Sequence, residues 1–74
     1  MTTPMISKIM NVIECINLML KDWDGSELYY HPADNSIYRS EVGKGMKLLK
    51  NGKGFNQYDI LCYLIGYREG LCLN

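Results

Sequence analysis

The chain predicts an α+β domain in which a long N-terminal helix, a two- or three-stranded antiparallel sheet and a C-terminal helix pack together. Three observations lead there. Apolar residues recur at helical spacing at both ends of the 74-residue chain. Between them lie short aromatic and β-branched runs separated by turn residues. The composition, 47% hydrophobic against 22% charged, is that of a chain able to bury a core, here as one small domain spanning 1–74.

The C-terminal segment Phe55 to Leu71 is the organising element. Asn56 can serve as N-cap with Asp59 answering from the N3 position, and Phe55 and Ile60 have the spacing of a hydrophobic staple. Arg68 suits the negative end of the helix dipole, and Gly70 can close the helix in a left-handed conformation. Ile60, Tyr63, Leu64, Tyr67 and Leu71 form one buried stripe that Leu61 widens, whereas Tyr58 and Ile65 point away from it. Gly66 is unfavourable inside a helix and predicts the close approach of another element.

At the other end, Thr3-Pro4 reads as a helix start, since proline at the first helical position loses no bond the helix would have made. From Met5 to about Trp23 the apolar positions Ile6, Ile9, Met10, Ile13, Ile16, Leu20 and Trp23 keep helical spacing. Met5, Val12 and Met19 broaden that arc to about half the circumference, more than one neighbouring helix covers, which leaves a homodimer or partner contact along this edge open beside the favoured reading of plain core packing.

Asp24-Gly25-Ser26 breaks the helix, after which Glu27–His31 and Ile37–Ser40 read as the strands of a β-hairpin. The intervening Pro32-Ala33-Asp34-Asn35-Ser36 supplies turn chemistry, with Asp bonding to its own backbone and Asn tolerating a left-handed conformation. Alternation directs Leu28 and Tyr30 to the helices and Tyr29 and His31 outward. Residues 41–54 admit two readings: a short helix through Val42, Met46 and Leu49, or a third strand at Met46-Lys47-Leu48 with a turn at Asn51-Gly52. The glycines at 43 and 45 favour the strand.

Composition also narrows function. Zero formal net charge gives no global attraction to nucleic acid or an anionic membrane. The three cysteines are odd in number and widely spaced, which fits a reducing, cytoplasmic setting better than a disulfide framework, and Cys62 and Cys72 read as small apolar packing residues. No apolar run reaches bilayer-spanning length and no secretory leader is visible, so a complete, soluble intracellular protein without membrane association is expected.

The residues offer no catalytic constellation, metal cluster or phosphate loop, and His31, the single histidine, lacks the companions a structural zinc site needs. Neither enzymatic activity nor a cofactor is expected. Candidate partner-binding residues are the tyrosines Tyr29, Tyr38 and Tyr58 with His31, and the basic series Arg39, Lys44, Lys47, Lys50 and Lys53. Six tyrosines in so short a chain fit an interface, because tyrosine suits sites where one end of a ring is buried and the other wet. The basic series could meet phosphates in nucleic acid or carboxylates on an acidic protein. Asp22, Asp24 and Glu27 gather around Trp23 as a negative cluster open to a basic partner.

From Leu28 onward the features LYYHPADNSIYRS, KGMKLLKNGKGF and YDILCYLIGYREG resemble the N-terminal part of phage HNH-type endonucleases over about 45 residues. The His-Arg pair usual at the start of the helix in that family is here Asp59-Ile60, and the metal-binding core is absent from the sequence, so the resemblance implies a DNA-contacting or repurposed phage module rather than a nuclease. In size, neutral charge and tyrosine content the chain is also similar to compact phage inhibitors such as anti-CRISPR proteins. That likeness implies a non-enzymatic phage or mobile-element protein that blocks a host or defence protein or nucleoprotein complex by occupying a surface. The alternative is a small nucleic-acid-binding module using residues 39–53.

Overall fold

The computed structural model describes residues 4–73. The element order is α1 (Pro4–Trp23), β1 (Glu27–His31), β2 (Ser36–Glu41), β3 (Gly45–Lys50) and α2 (Gln57–Cys72). The strands form one antiparallel sheet in the order β1-β2-β3, so residues 45–50 adopt the strand alternative. Thr3, expected to cap α1, lies outside the described residues.

Along α1 the buried positions are Ile9, Ile13, Ile16 and Leu20, spaced 4, 3 and 4 residues apart, which is a single stripe on a 3.6-residue helix. They meet Leu28, Tyr30 and Ile37 from the sheet and Ile60 and Leu64 from α2. Nine residues thus form the buried core, with α1 between the sheet edge and α2. The chain leaves α1 by a left-handed turn at Gly25 (φ 74°), and Ser26 donates both its N–H and its hydroxyl to Asp24.

The wide arc of α1 divides differently from the sequence expectation. Met5 and Val12 are half-buried against the core and Met19 meets the Cys72 thiol at 3.9 Å, so the edge invoked for self-association is partly covered within the chain. Met10 (47% exposed) and Trp23 (60%), assigned to the core stripe, are instead outside it, as is Leu18 at 65%. Met10 lies on the flank beyond the narrow buried stripe, and Trp23 occupies the last turn.

In α2 the expected capping box is present: the Asn56 side chain accepts from Asp59 N–H, and Asp59 accepts from Asn56 N–H. Phe55 is half exposed, with the Lys50 ammonium 3.9 Å above its ring. The end differs, because Gly70 remains helical and the cap is Leu73 in a right-handed conformation. Nor does Gly66 mark a close approach, since a Cβ there would meet nothing within 4 Å. All three cysteines are exposed and free rather than packed; Cys15 and Cys62 lie off the buried stripes of their helices.

The close approach occurs instead at Gly52. A Cβ there would sit 1.9 Å from the Asn35 carbonyl oxygen, a contact no side chain permits. Gly52 N–H donates to the Ser36 hydroxyl, Asn35 Nδ2 donates to the Phe55 carbonyl, and the Tyr30 hydroxyl donates to Asn35 Oδ1. The hairpin turn and the approach to α2 are therefore one bonded junction.

Two sheet edges remain, and both are protected. On β1 the Asn17 side chain behaves as a strand segment, accepting from Leu28 N–H at 2.7 Å and donating to Leu28 O at 3.2 Å. On β3 the pairing shifts between Ile37↔Lys50 and Tyr38↔Leu48, leaving Leu49 as a bulge, and Lys47 and Lys50 occupy the strand.

Two predictions follow from these backbone contacts. Gly52→Ala is expected to destabilise the protein by about 3 kcal/mol through forced overpacking, whereas Gly66→Ala is expected to stabilise it by roughly 0.5–1 kcal/mol. Urea midpoints read both, and an unchanged midpoint for Gly52→Ala would contradict the junction. Asn17→Ala is expected to cost about 2 kcal/mol for its two bonds to the strand and, by opening the β1 edge, to induce concentration-dependent association in sedimentation experiments. A variant as stable and as monodisperse as the wild type would show that the edge needs no such cover.

Candidate functional site

Alternation along β1 sends Leu28 and Tyr30 into the core and leaves Glu27, Tyr29 and His31 outward, as their burial pattern records. Register then carries the outer row across the sheet: Tyr29 stands opposite Tyr38, Tyr38 opposite Leu48, and Ser40 opposite Met46. His31 meets the Tyr38 ring edge-on, with centroids 6.3 Å apart and planes at 85°. Tyr29 (44%), Leu48 (49%) and Met46 (62%) are exposed, so the outer face is aromatic and apolar where an open antiparallel sheet is ordinarily polar.

The polar atoms of this face are tied down. The Tyr29 hydroxyl donates to Glu27 Oε2 at 2.9 Å, and that carboxylate raises the phenol pKa above its ordinary value. The Tyr38 hydroxyl donates to Asp34 Oδ2 at 3.1 Å, with the same effect on its phenol. Asp34 Oδ1 is also 3.1 Å from His31 Nδ1 and accepts Ser36 N–H at 3.2 Å. Desolvation by itself would raise the Asp34 pKa, but the bonds from His31, Tyr38 and Ser36 prevail and hold it below 3.8. One carboxylate thus orients an imidazole, a phenol and the hairpin backbone together.

The basic residues do not join this face. Arg39 stands opposite Leu28, on the helix-facing side, where Nη1 donates to the Tyr67 hydroxyl at 2.9 Å and Nη2 pairs with Asp24. Its Nε is buried without a partner. Asp24 is held below its usual pKa first by the Ser26 hydroxyl and backbone bonds and then by Arg39. Lys47 is paired with Arg39 across the strands, and the Lys50 ammonium lies over Phe55 and, at 5.8 Å, over Tyr63. Lys44 sits in the β2–β3 turn 3.9 Å from Glu41, Lys53 lies beyond the other end of β3, and Tyr58 is 61% exposed in the first turn of α2. A three-residue spacing gathers side chains on a helix, but a strand with a bulge and a turn at each end scatters them.

Of the nine residues singled out in the sequence, the structure therefore brings together Tyr29, His31 and Tyr38. Asp34, Met46 and Leu48 join them without having been singled out as binding residues, and Glu27, read from sequence as part of a negative cluster around Trp23, joins them through Tyr29. The pairing of β3 against β2 supplies the last two, and this required knowing that residues 45–50 form a strand with a bulge.

Two clefts flank the sheet. One of about 630 Å³ runs between α1 and β1 beside Met10, Asn17 and Leu18. The other, of about 410 Å³, opens between the helix C-termini and β2, and its polar floor is the Arg39–Asp24 pair, whose charges already satisfy one another. Among the described residues, no group of three or more His, Cys, Asp or Glu side chains is placed to hold a metal ion, and no helix is long and apolar enough to cross a membrane.

Comparison with protein-family models, with curated proteins and with solved structures found no match.

The Asp34 network predicts a pH dependence of known sign. A carboxyl whose folded pKa lies below the unfolded value of 3.8 contributes stability that is present above pH 3.8 and is lost as pH falls through the folded value. Thermal melts over this acidic range should therefore show the wild-type midpoint falling more steeply than that of Asp34→Asn, which cannot be protonated. Parallel curves would remove Asp34 as a contributor.

Proposed function

We propose that this chain is a non-enzymatic binding protein that acts by covering a protein surface of its partner with the outer face of its sheet. The observation that carries the proposal is the row of exposed Tyr29, half-buried Tyr38 and exposed Leu48, with His31 and Met46 beside it, on the side of the sheet opposite the entire core. An exposed apolar patch with a polar rim is the usual mark of an interaction site. The rings are already held by Glu27 and Asp34, so less side-chain freedom is lost on docking. Because Asn17 and the β3 lysines obstruct strand addition at the edges, the partner meets the face of the sheet rather than extending it.

Among proteins that act by occupation, we assign it to the small inhibitors of phages and mobile elements, the anti-CRISPR kind, with a host or defence complex as partner. Its size, neutral charge and tyrosine content support that assignment. The carboxylates on the face and the dispersed lysines favour a protein partner over nucleic acid.

The test is affinity capture from a host lysate with the wild type and three variants. Tyr29→Ala and Leu48→Glu, both at exposed sites, should leave the fold within about 0.5 kcal/mol and weaken a stoichiometric protein partner at least about tenfold. Lys53→Glu should retain it. A partner indifferent to both face variants would defeat the proposal. So would DNA binding with a log–log salt slope near about −3.6, the value for four neutralised phosphates.

A further inference from the structure

Resting on the docking face proposed above, we infer that its occupant presents arginine side chains, each stacking on a face tyrosine and pairing with the carboxylate which that tyrosine's hydroxyl already holds. The charge distribution of the sheet carries the inference. Every Lys and Arg within the strands, namely Arg39, Lys47 and Lys50, departs from the outer face: Arg39 and Lys47 pair at an inward register position, and Lys50 turns onto Phe55 and Tyr63. The outer face keeps Glu27 and borders Asp34, so it is acidic although the whole chain is neutral.

The two carboxylates bracket the aromatic row. Glu27 opens β1 and Asp34 lies in the turn beyond its end, so their backbones are separated by about the length of the strand, roughly 13 Å. Each carboxylate also holds its own tyrosine, an arrangement that favours a cationic group at either end over one cation shared between them. Glu27 accepts from Tyr29 through Oε2, and Asp34, although it already meets Tyr38, His31 and Ser36, is 49% exposed, so both present carboxylate oxygen to a further donor at the edge of a ring. Guanidinium meets this pattern because it is planar, stacks on aromatic faces and still directs N–H donors sideways to a carboxylate. An ammonium is compact and serves one contact or the other. A polyanion is repelled by the same two groups.

The experiment titrates the ¹⁵N-labelled wild-type protein with acetyl-arginine-methylamide and, separately, with its uncharged isostere acetyl-citrulline-methylamide. The expected result is a set of saturable shifts confined to Tyr29, His31, Tyr38 and Leu48, with the arginine compound bound about two- to fivefold more tightly, the gain of an exposed cation–π contact. Glu27→Gln should remove that preference at Tyr29 while leaving Tyr38 responsive. This variant alters one exposed side chain and so tests the inference even if Asp34→Asn perturbs the hairpin. Equal response to citrulline, or shifts centred on Trp23 between Asp22 and Asp24, would overturn the inference. If the arginine probe fails while Leu48→Glu still abolishes partner capture, the docking face stands on apolar contact and the arginine assignment alone falls.

Discussion

The arrangement depends on one place where two stretches of backbone touch without a side chain between them. Gly52 lies against the Asp34–Asn35 turn, and the bonds around it run from the core tyrosine Tyr30 through Asn35 to the Phe55 carbonyl. Phe55 is followed at once by Asn56, the N-cap of α2, so the hairpin turn fixes where the last helix begins. α2 contacts the sheet through long side chains such as Tyr67 on Arg39 and Tyr63 near Lys50, which can adapt, whereas the Gly52 contact cannot. With the start of α2 set, Ile60 and Leu64 fall against α1 and the core closes.

Much of this was legible because local chemistry and fold agree. The capping box of Asn56 and Asp59 needs no tertiary information, and the alternation in Glu27–His31 is the same read from sequence or from burial. Asn35 takes the left-handed conformation (φ 58°) that its residue type tolerates. Glycines were harder, since a glycine can mark freedom, contact or neither. Gly66 and Gly70 have nothing within 4 Å of where a Cβ would stand, and Gly52, read simply as part of a turn, carries the closest approach among the described glycines. The core stripe of α1 was overdrawn because helical spacing admits Met10 and Trp23 whether or not a neighbour reaches them.

The lysines show how spacing misleads when the element type is open. Read along the chain, Lys44, Lys47, Lys50 and Lys53 look like a patch for phosphate; placed on β3 and its turns, they spread along an open edge. Charged side chains and a bulge at such an edge discourage pairing with another sheet. At the opposite edge an asparagine from α1 supplies the same protection by occupying both main-chain groups of Leu28. For the candidate site the legible part was Tyr29, His31 and Tyr38; its carboxylate frame rests on local side-chain bonds two to four residues long, whereas its apolar extension through Met46 and Leu48 depended on cross-strand register.

The division of the sheet into two faces has a consequence for how such a protein changes over generations. The nine residues of the hydrophobic core all lie on one side, and the outer row contributes none of them. Under the docking role proposed above, substitutions at Tyr29, Met46 or Leu48 alter what is recognised while selection on folding acts elsewhere. A lineage could exchange targets through these few positions and keep its scaffold, so descendants would share the glycine junction and the asparagine clamp while diverging across the aromatic row.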